Sequence, residues 1–291
     1  MKATHVLLLL LVGCSSCDEE VTPREEPDEN PNPATEPAAR ESHVGTIRGT
    51  VRLAEGVELP GYTLDEINGP QALAPWSEHC APARNADHHP VQMDAARGLS
   101  NVVIYAGSDD EEAFFGALPE PEPRTVPLRI EDCRLTPPVL ALTRGDTVEV
   151  TQATPGEALL PVLGPSHFME VLPEGQSREF PLTQGGIFAM HCAFAAPCAR
   201  TDLVVLYHQV HTLSGEGGAF ELQVPADQEV EIVAWHPLFS YARGTIRVDE
   251  NGEAELDLEL GPRPDPAAAS PGATDPTTPQ PPEEGEPAEL F

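Results

Sequence analysis

Alternating apolar and polar positions along the chain predict many short β-strands. Val44 to Leu53 is the clearest example. Ile47 and Leu53 fall on one side of that stretch and Arg48 falls on the other, which is typical of a half-buried strand. No stretch carries a 3.6-residue apolar period over three turns, the pattern that would indicate a long helix. The predicted fold class is therefore all-β, built from β-sandwiches.

Further strands are predicted at short apolar runs that are separated by Gly and Pro turns. In the middle of the chain these runs are Asn101 to Ala106, Thr125 to Ile130, Pro138 to Leu142, Thr147 to Thr151, Ser177 to Leu182, Ile187 to His191 and Leu203 to Tyr207. In the last part they are Ala219 to Val224, Glu229 to Ala234, Gly244 to Val248 and Ala254 to Leu260. Gly56 to Pro75 is predicted to be loop, because Gly and Pro interrupt it.

Both ends of the 291-residue chain have a composition that does not predict a fold. Residues 15–42 and 261–291 are Pro-rich and acidic, with few large apolar residues, so we expect both to be disordered and the first to act as a tether. The remaining region is long enough for one large or two small domains.

Residues 1–14 have the features of an export signal. Lys2 is followed by the apolar run Val6 to Val12, which is too short to span a bilayer. Leu11-Val12-Gly13-Cys14 resembles a bacterial lipoprotein cleavage box, which implies that Cys14 is lipidated. An ordinary secretory signal cut near Cys14 or Cys17 is the alternative. The expected location is the bacterial cell envelope, with the protein anchored to a membrane by lipid and facing the periplasm or the cell exterior.

The net charge of the chain bears on its partners, and its cysteine content bears on its disulfides. The formal net charge of −32 argues against nucleic-acid partners, since these need basic patches. Apart from Cys14 and Cys17, four cysteines remain: Cys80, Cys133, Cys192 and Cys198. An even number in an exported chain predicts two disulfides, for which three pairings are open.

Two segments resemble the cupredoxin family. Cys133 to Val139 (CRLTPPV) and Leu142 to Val148 (LTRGDTV) resemble the opening of a cupredoxin domain, and Gly186 to Val205 takes the place of its later strand, metal loop and final strand. The resemblance covers Pro127 to Leu206 and implies a cupredoxin-like domain at residues 125–206. In that family copper is held by two His, a Cys and an axial Met.

The chain departs from the family at three of those four ligands. Thr151 to Ala158 contains no His where the first belongs, Ala195 stands at the second, and Cys198 stands at the Met; only Cys192 is retained. The resemblance thus implies a domain without copper, in which a Cys192–Cys198 disulfide closes the former pocket and Cys80 pairs with Cys133.

A re-formed copper site is the alternative to the disulfide. Its ligands would be drawn from Cys192, His191, His167 or Cys198. His191 alternates with Cys192 along a strand, so the two would face opposite sides.

The last strands resemble a second family. Gly218 to Pro225 and Val230 to Pro237 resemble the transthyretin-like module also called carboxypeptidase-regulatory-like, a small β-sandwich that serves as a spacer or binding unit. The resemblance implies such a module at residues 207–260. Val44 to Leu53 and Asn101 to Gly107 resemble a piece of a related module, within an N-terminal β segment with long loops at residues 43–124.

Other polar clusters have two interpretations each. His79, Cys80, His88 and His89 suit zinc or copper, but their spacing matches no metal knuckle and favours a surface loop anchored by Cys80. The acidic run Asp109 to Glu112 favours a solvated loop over a calcium site. His208 and His211 are expected to be solvated.

No catalytic motif is present, and we expect no enzyme activity. The first hypothesis is an exported, lipid-anchored structural or binding module without a cofactor, whose protein or small-molecule partner is unknown. The second is a copper-binding or electron-transfer protein with an altered site at Cys192.

Overall fold

The computed structural model describes residues 44–68, 76–86, 88–163, 171–192 and 198–263, and β-strands form about half of this part. The all-β prediction is confirmed. The predicted signal and tether, Cys14, Ala195, His167 and the tail beyond Arg263 lie outside the described residues.

Strands from both ends of the described region form one β-sandwich, which we call the terminal sandwich. Its first sheet has the order β16-β1-β19, with β20 also paired to β1, and its second sheet has the order β15-β4-β17-β18. The strands are β1 (Val44–Leu53), β4 (Val103–Gly107), β15 (His211–Leu213), β16 (Ala219–Pro225), β17 (Glu229–Trp235), β18 (Ala242–Arg247), β19 (Glu253–Glu255) and β20 (Leu258–Leu260). A short hairpin of β2 (Gln92–Met93) and β3 (Leu99–Ser100) precedes β4. The segments predicted at 43–124 and 207–260 therefore share sheets and one core.

The predicted strand at 254–260 is two strands in the structure. β1 pairs in parallel with β19 through Thr46 to Arg48 and with β20 through Val51 to Leu53. Between the two, the backbone at Leu256 approaches Gly49 so closely that a Cβ there would lie 1.8 Å from the Leu256 carbonyl oxygen. A glycine is needed on β1 at this crossing.

The described residues between 125 and 206 form a second β-sandwich, which we call the middle sandwich. Its sheets have the orders β10-β13-β14-β7 and β12-β8-β5-β6. The strands are β5 (Thr125–Glu131), β6 (Arg134–Thr136), β7 (Val139–Thr143), β8 (Thr147–Gln152), β10 (Pro161–Leu163), β12 (Ser177–Pro181), β13 (Gly186–Cys192) and β14 (Arg200–Leu206). A separate pair is formed by β9 (Ala158–Leu159) and β11 (Leu172–Pro173). Side chains such as Leu128, Val150 and Leu203 fill the core between the sheets.

Strand β6 was not among the predicted strands. It forms a hairpin with β5, in which Glu131 lies opposite Arg134. The two turn residues between them, Asp132 and Cys133, have φ of 48° and 60°. Such positive φ values belong to the tight two-residue turns that match strand twist, and these usually contain Asn, Asp or Gly. The cysteine in the turn concealed the hairpin signal.

The two sandwiches pack through the outer faces of one sheet each. Val139 and Val204 of the middle sandwich contact Val103 of the terminal sandwich, and all three are buried. Alternation explains this contact, because residues 200, 202 and 204 point away from the core that Leu203 and Val205 enter. We call this contact the seam.

The described residues contain three short α-helices outside the sheets, α1 (Leu64–Asn68), α2 (Ala81–Arg84) and α3 (Glu111–Gly116), and a 3-10 turn at Glu216–Gly218. The loop predicted at 56–75 thus contains helix α1. The acidic run Asp109 to Glu112, which was predicted to be a loop, includes the first residues of helix α3. Asp110 Oδ1 accepts a hydrogen bond from Ala113 N at 3.0 Å and caps α3. Within the described residues, no helix has both the length and the apolar character needed to cross a membrane.

Candidate functional site

Cys192 and Cys198 close the loop between β13 and β14 with a disulfide. Their Cα atoms lie 5.2 Å apart, and both side chains are buried within the core of the middle sandwich. Met190, two residues before Cys192 on the same face of β13, is buried in that core as well. The two cysteine sulfurs are therefore bonded to each other, and neither is a free thiolate that could ligate a metal.

A second disulfide joins Cys80 to Cys133, with a Cα separation of 5.5 Å. It links the segment that contains α2 to the β5–β6 turn. The two bridges are the pairing that the cupredoxin resemblance implied.

His191 faces away from the Cys192–Cys198 disulfide. It lies opposite Arg200 in the β13–β14 register, on the seam side of the sheet. Its Nε2 is buried and has no hydrogen-bond partner. Burial, reinforced by the Arg200 charge, lowers the pKa of His191. The structure therefore does not bring His191 and Cys192 together as joint ligands, and His167 lies outside the described residues.

The cluster around Cys80 is dispersed in the structure. His79 is exposed, while Cys80 is buried in its disulfide. His88 Nε2 lies 3.0 Å from the Arg84 carbonyl oxygen, and His89 Nδ1 lies 2.9 Å from that of Pro60. Among the described residues, no three His, Cys, Asp or Glu side chains form a group that could hold a metal ion.

His208 and His211 are not solvated as the sequence suggested, because α3 and β7 cover them. The His208 ring packs edge-on against Phe114, and its Nδ1 accepts a hydrogen bond from Val210 N at 3.1 Å. His211 Nε2 lies 2.9 Å from Thr143 Oγ1. Burial lowers the pKa of each of these histidines to about 4.

A buried ionic cluster of Tyr62, Arg200 and Asp202 spans the seam. The Tyr62 hydroxyl donates to Asp202 Oδ2, and Arg200 donates from Nε and Nη2 to Asp202 Oδ1 at 2.9 and 2.7 Å. The Arg200 guanidinium lies over the Tyr62 ring, 4.5 Å from its centroid. A charged pair and an aromatic ring thus join residues from both sandwiches.

Burial and the Arg200–Asp202 ion pair act in opposite directions on the pKa values of Asp202 and Arg200. Burial raises the pKa of the Asp202 carboxyl, although the Arg200 charge and the Tyr62 hydrogen bond act in the opposite direction. Burial and then the Asp202 charge raise the pKa of the Tyr62 hydroxyl. Burial alone would lower the pKa of Arg200. The Asp202 carboxylate acts more strongly in the opposite direction, so the pKa of Arg200 is raised.

Sequence reasoning missed this cluster, although one part of its surroundings had a signal. Thr63 and Glu66 form the Ser/Thr-x-x-Glu capping pattern, with Glu66 Oε2 accepting from Thr63 N at 2.9 Å, and this pattern marks the start of α1 beside Tyr62. Nothing in the local sequence indicates that Tyr62 contacts Asp202, 140 residues away.

No protein-family model and no curated protein matches the chain. Part of it is similar to solved cupredoxin structures. A reduced amicyanin variant matches at 19% identity over 28% of this chain and 81% of its own, with a TM-score of 0.25. A purple cupredoxin from Nitrosopumilus maritimus matches at 16% identity over 27% of this chain and 97% of its own, with a TM-score of 0.25. A copper-containing nitrite reductase from Thermus scotoductus matches at 23% identity over 30% of this chain and 23% of its own, also at 0.25. We draw no conclusion about function from similarities this weak.

Proposed function

We propose that this protein is an exported, lipid-anchored, non-catalytic binding or structural module, in which a cupredoxin-like sandwich has a disulfide in place of a copper site. The observation that carries the proposal is the buried Cys192–Cys198 bond. A copper centre of that family needs a cysteine thiolate and two imidazoles. A disulfide sulfur has no thiolate charge, and Ala195 stands where one imidazole would be.

Thiol alkylation and metal analysis on one sample test this proposal. The purified full chain is denatured and treated with iodoacetamide, either before or after reduction, and its intact mass is measured by mass spectrometry. Copper is measured separately on the native protein. We expect no alkylation of Cys80, Cys133, Cys192 or Cys198 before reduction and no stoichiometric copper.

A Cys192→Ala/Cys198→Ala double variant is the control, because it retains the Cys80–Cys133 bridge and should gain two fewer alkyl groups after reduction. If Cys192 is alkylated without reduction and the native protein holds near-stoichiometric copper, the proposal fails in favour of a copper-binding or electron-transfer protein.

The lipid anchor is tested separately, by membrane fractionation of cells that produce the full chain. The cleavage box before Cys14 supports the anchor. Cys14→Ala should move the protein from the membrane pellet to the soluble fraction, whereas Cys17→Ala, its matched control, should leave it in the pellet. A Cys14→Ala chain that still pellets rules out an anchor at Cys14.

A further inference from the structure

A small pocket with cationic and imidazole side chains lies where residues 60–90 meet the middle sandwich. Its volume is about 90 Å³, and its polar lining consists of Tyr62, His88, His89, Arg134 and Arg200. Among the described residues that line it none is acidic, and the nearby Asp202 carboxylate accepts hydrogen bonds from Tyr62 and Arg200. In a chain with a net charge of −32, this lining is a local concentration of hydrogen-bond donors and positive charge.

The two disulfides position both arginines. Arg134 follows Cys133 directly, and Arg200 is two residues after Cys198. A backbone hydrogen bond from Leu135 N to the Cys198 carbonyl oxygen, 3.2 Å long, joins the two segments. The Cys80–Cys133 bridge ties the same turn to the segment that carries His88 and His89. The cross-links therefore hold the lining of the pocket in place.

The polar groups of the pocket retain capacity for a ligand. The backbone of Arg134 pairs with β5, but its side chain forms no ion pair or hydrogen bond with another described residue. Arg200 directs Nε and Nη2 to Asp202, which leaves Nη1 outside that pair. His88 and His89 each place one ring nitrogen on a backbone carbonyl, which leaves the second nitrogen of each ring outside that contact.

The rest of the lining is apolar and includes Ile67, Leu135 and Pro138. Guanidinium groups match the planar, two-oxygen geometry of a carboxylate. An apolar wall suits an aliphatic body and contributes nothing to an inorganic anion such as phosphate. We propose that this pocket binds the carboxylate of a small aliphatic organic acid. The proposal rests on the proposed function only in that the Cys192–Cys198 bridge helps to position Arg200.

Calorimetric titration of the full chain with butyrate tests this site, in a buffer free of other carboxylates and of phosphate. We expect saturable binding of one butyrate, no binding of butyramide, and weaker binding of inorganic phosphate. Arg134→Gln should weaken butyrate binding at least tenfold, because it removes a charged hydrogen-bond donor. Arg129→Gln is the matched control. Arg129 is exposed on the neighbouring strand β5, so this substitution removes the same charge outside the pocket. It should alter the affinity for butyrate less than twofold.

Three results would overturn the proposal. They are no binding of butyrate, equal losses in Arg134→Gln and Arg129→Gln, and phosphate binding as tight as that of butyrate. The first would mean that the pocket takes no small carboxylate, the second that any effect is general electrostatics, and the third that the apolar wall has no role. None of these results alters the alkylation pattern expected at Cys192, so failure here is distinguishable from failure of the proposed function.

Discussion

At the scale of single residues, the ionic cluster at the seam has the largest consequence for stability. The Asp202 side chain is fully buried and that of Arg200 is 21% exposed. Removing one charge therefore leaves the other largely buried without its partner. We predict that Asp202→Asn lowers the free energy of unfolding by about 3 kcal/mol. Tyr62→Phe, which removes one hydrogen bond to the carboxylate, should cost about 2 kcal/mol. Urea denaturation followed by circular dichroism measures both.

The control for this prediction is an exposed ion pair on the terminal sandwich. Arg48 Nε lies 2.7 Å from Glu221 Oε2, but the two side chains are 48% and 56% exposed. Glu221→Gln should therefore change stability far less than Asp202→Asn does, because solvent screens an exposed pair. An Asp202→Asn variant as stable as Glu221→Gln would show that the seam cluster does not hold the sandwiches together.

At the scale of elements, the two disulfides should contribute unequally. Cys80 and Cys133 are 53 residues apart, whereas Cys192 and Cys198 are 6 apart. In the chain-entropy model, a bridge that closes a longer loop removes more freedom from the unfolded chain. We predict a loss of about 4 kcal/mol for Cys80→Ala/Cys133→Ala and about 2 kcal/mol for Cys192→Ala/Cys198→Ala.

Guanidinium denaturation of the two double variants measures this difference. All four cysteines are buried, so alanine leaves buried cavities in both double variants. Equal losses, or a larger loss for the short loop, would mean that native-state packing around Cys192 outweighs chain entropy.

The same scale shows how far the sequence specifies the fold. Alternation placed β1 with its bounds, and its buried side chains Ile47, Val51 and Leu53 were predicted correctly. Strand pairing could not be predicted in the same way, because alternation shows which face of a strand a residue occupies but not which strand lies beside it. The break in the predicted strand 254–260 has its cause at Gly49, about 200 residues earlier in the chain. The cysteines of the site were identified from local sequence, whereas the pocket beside them is assembled from four separate segments.

At the scale of the whole molecule, buried histidines make stability depend on pH. His208 and His211 have pKa values lowered to about 4 and His236 one lowered to about 3, in each case chiefly by burial. In the unfolded chain an ordinary histidine titrates near 6.5. Between about pH 6.5 and 4 the unfolded state therefore binds protons that the folded state does not. Stability is complete above this window and falls as the pH is lowered through it.

We predict that each of the histidines with a pKa of about 4 costs about 2 kcal/mol of stability between pH 7 and pH 5. The net charge of −32 opposes this trend, because protonation of surface carboxylates relieves repulsion in the folded state. The comparison must therefore be made between variants, because the contribution of the surface carboxylates is the same in each of them. Urea unfolding at pH 7 and pH 5 should show that His208→Gln loses less stability on acidification than the parent chain, whereas the exposed His89→Gln loses as much. If His208→Gln and the parent lose equal amounts, then His208 is protonated in the folded state and α3 does not shield it from water.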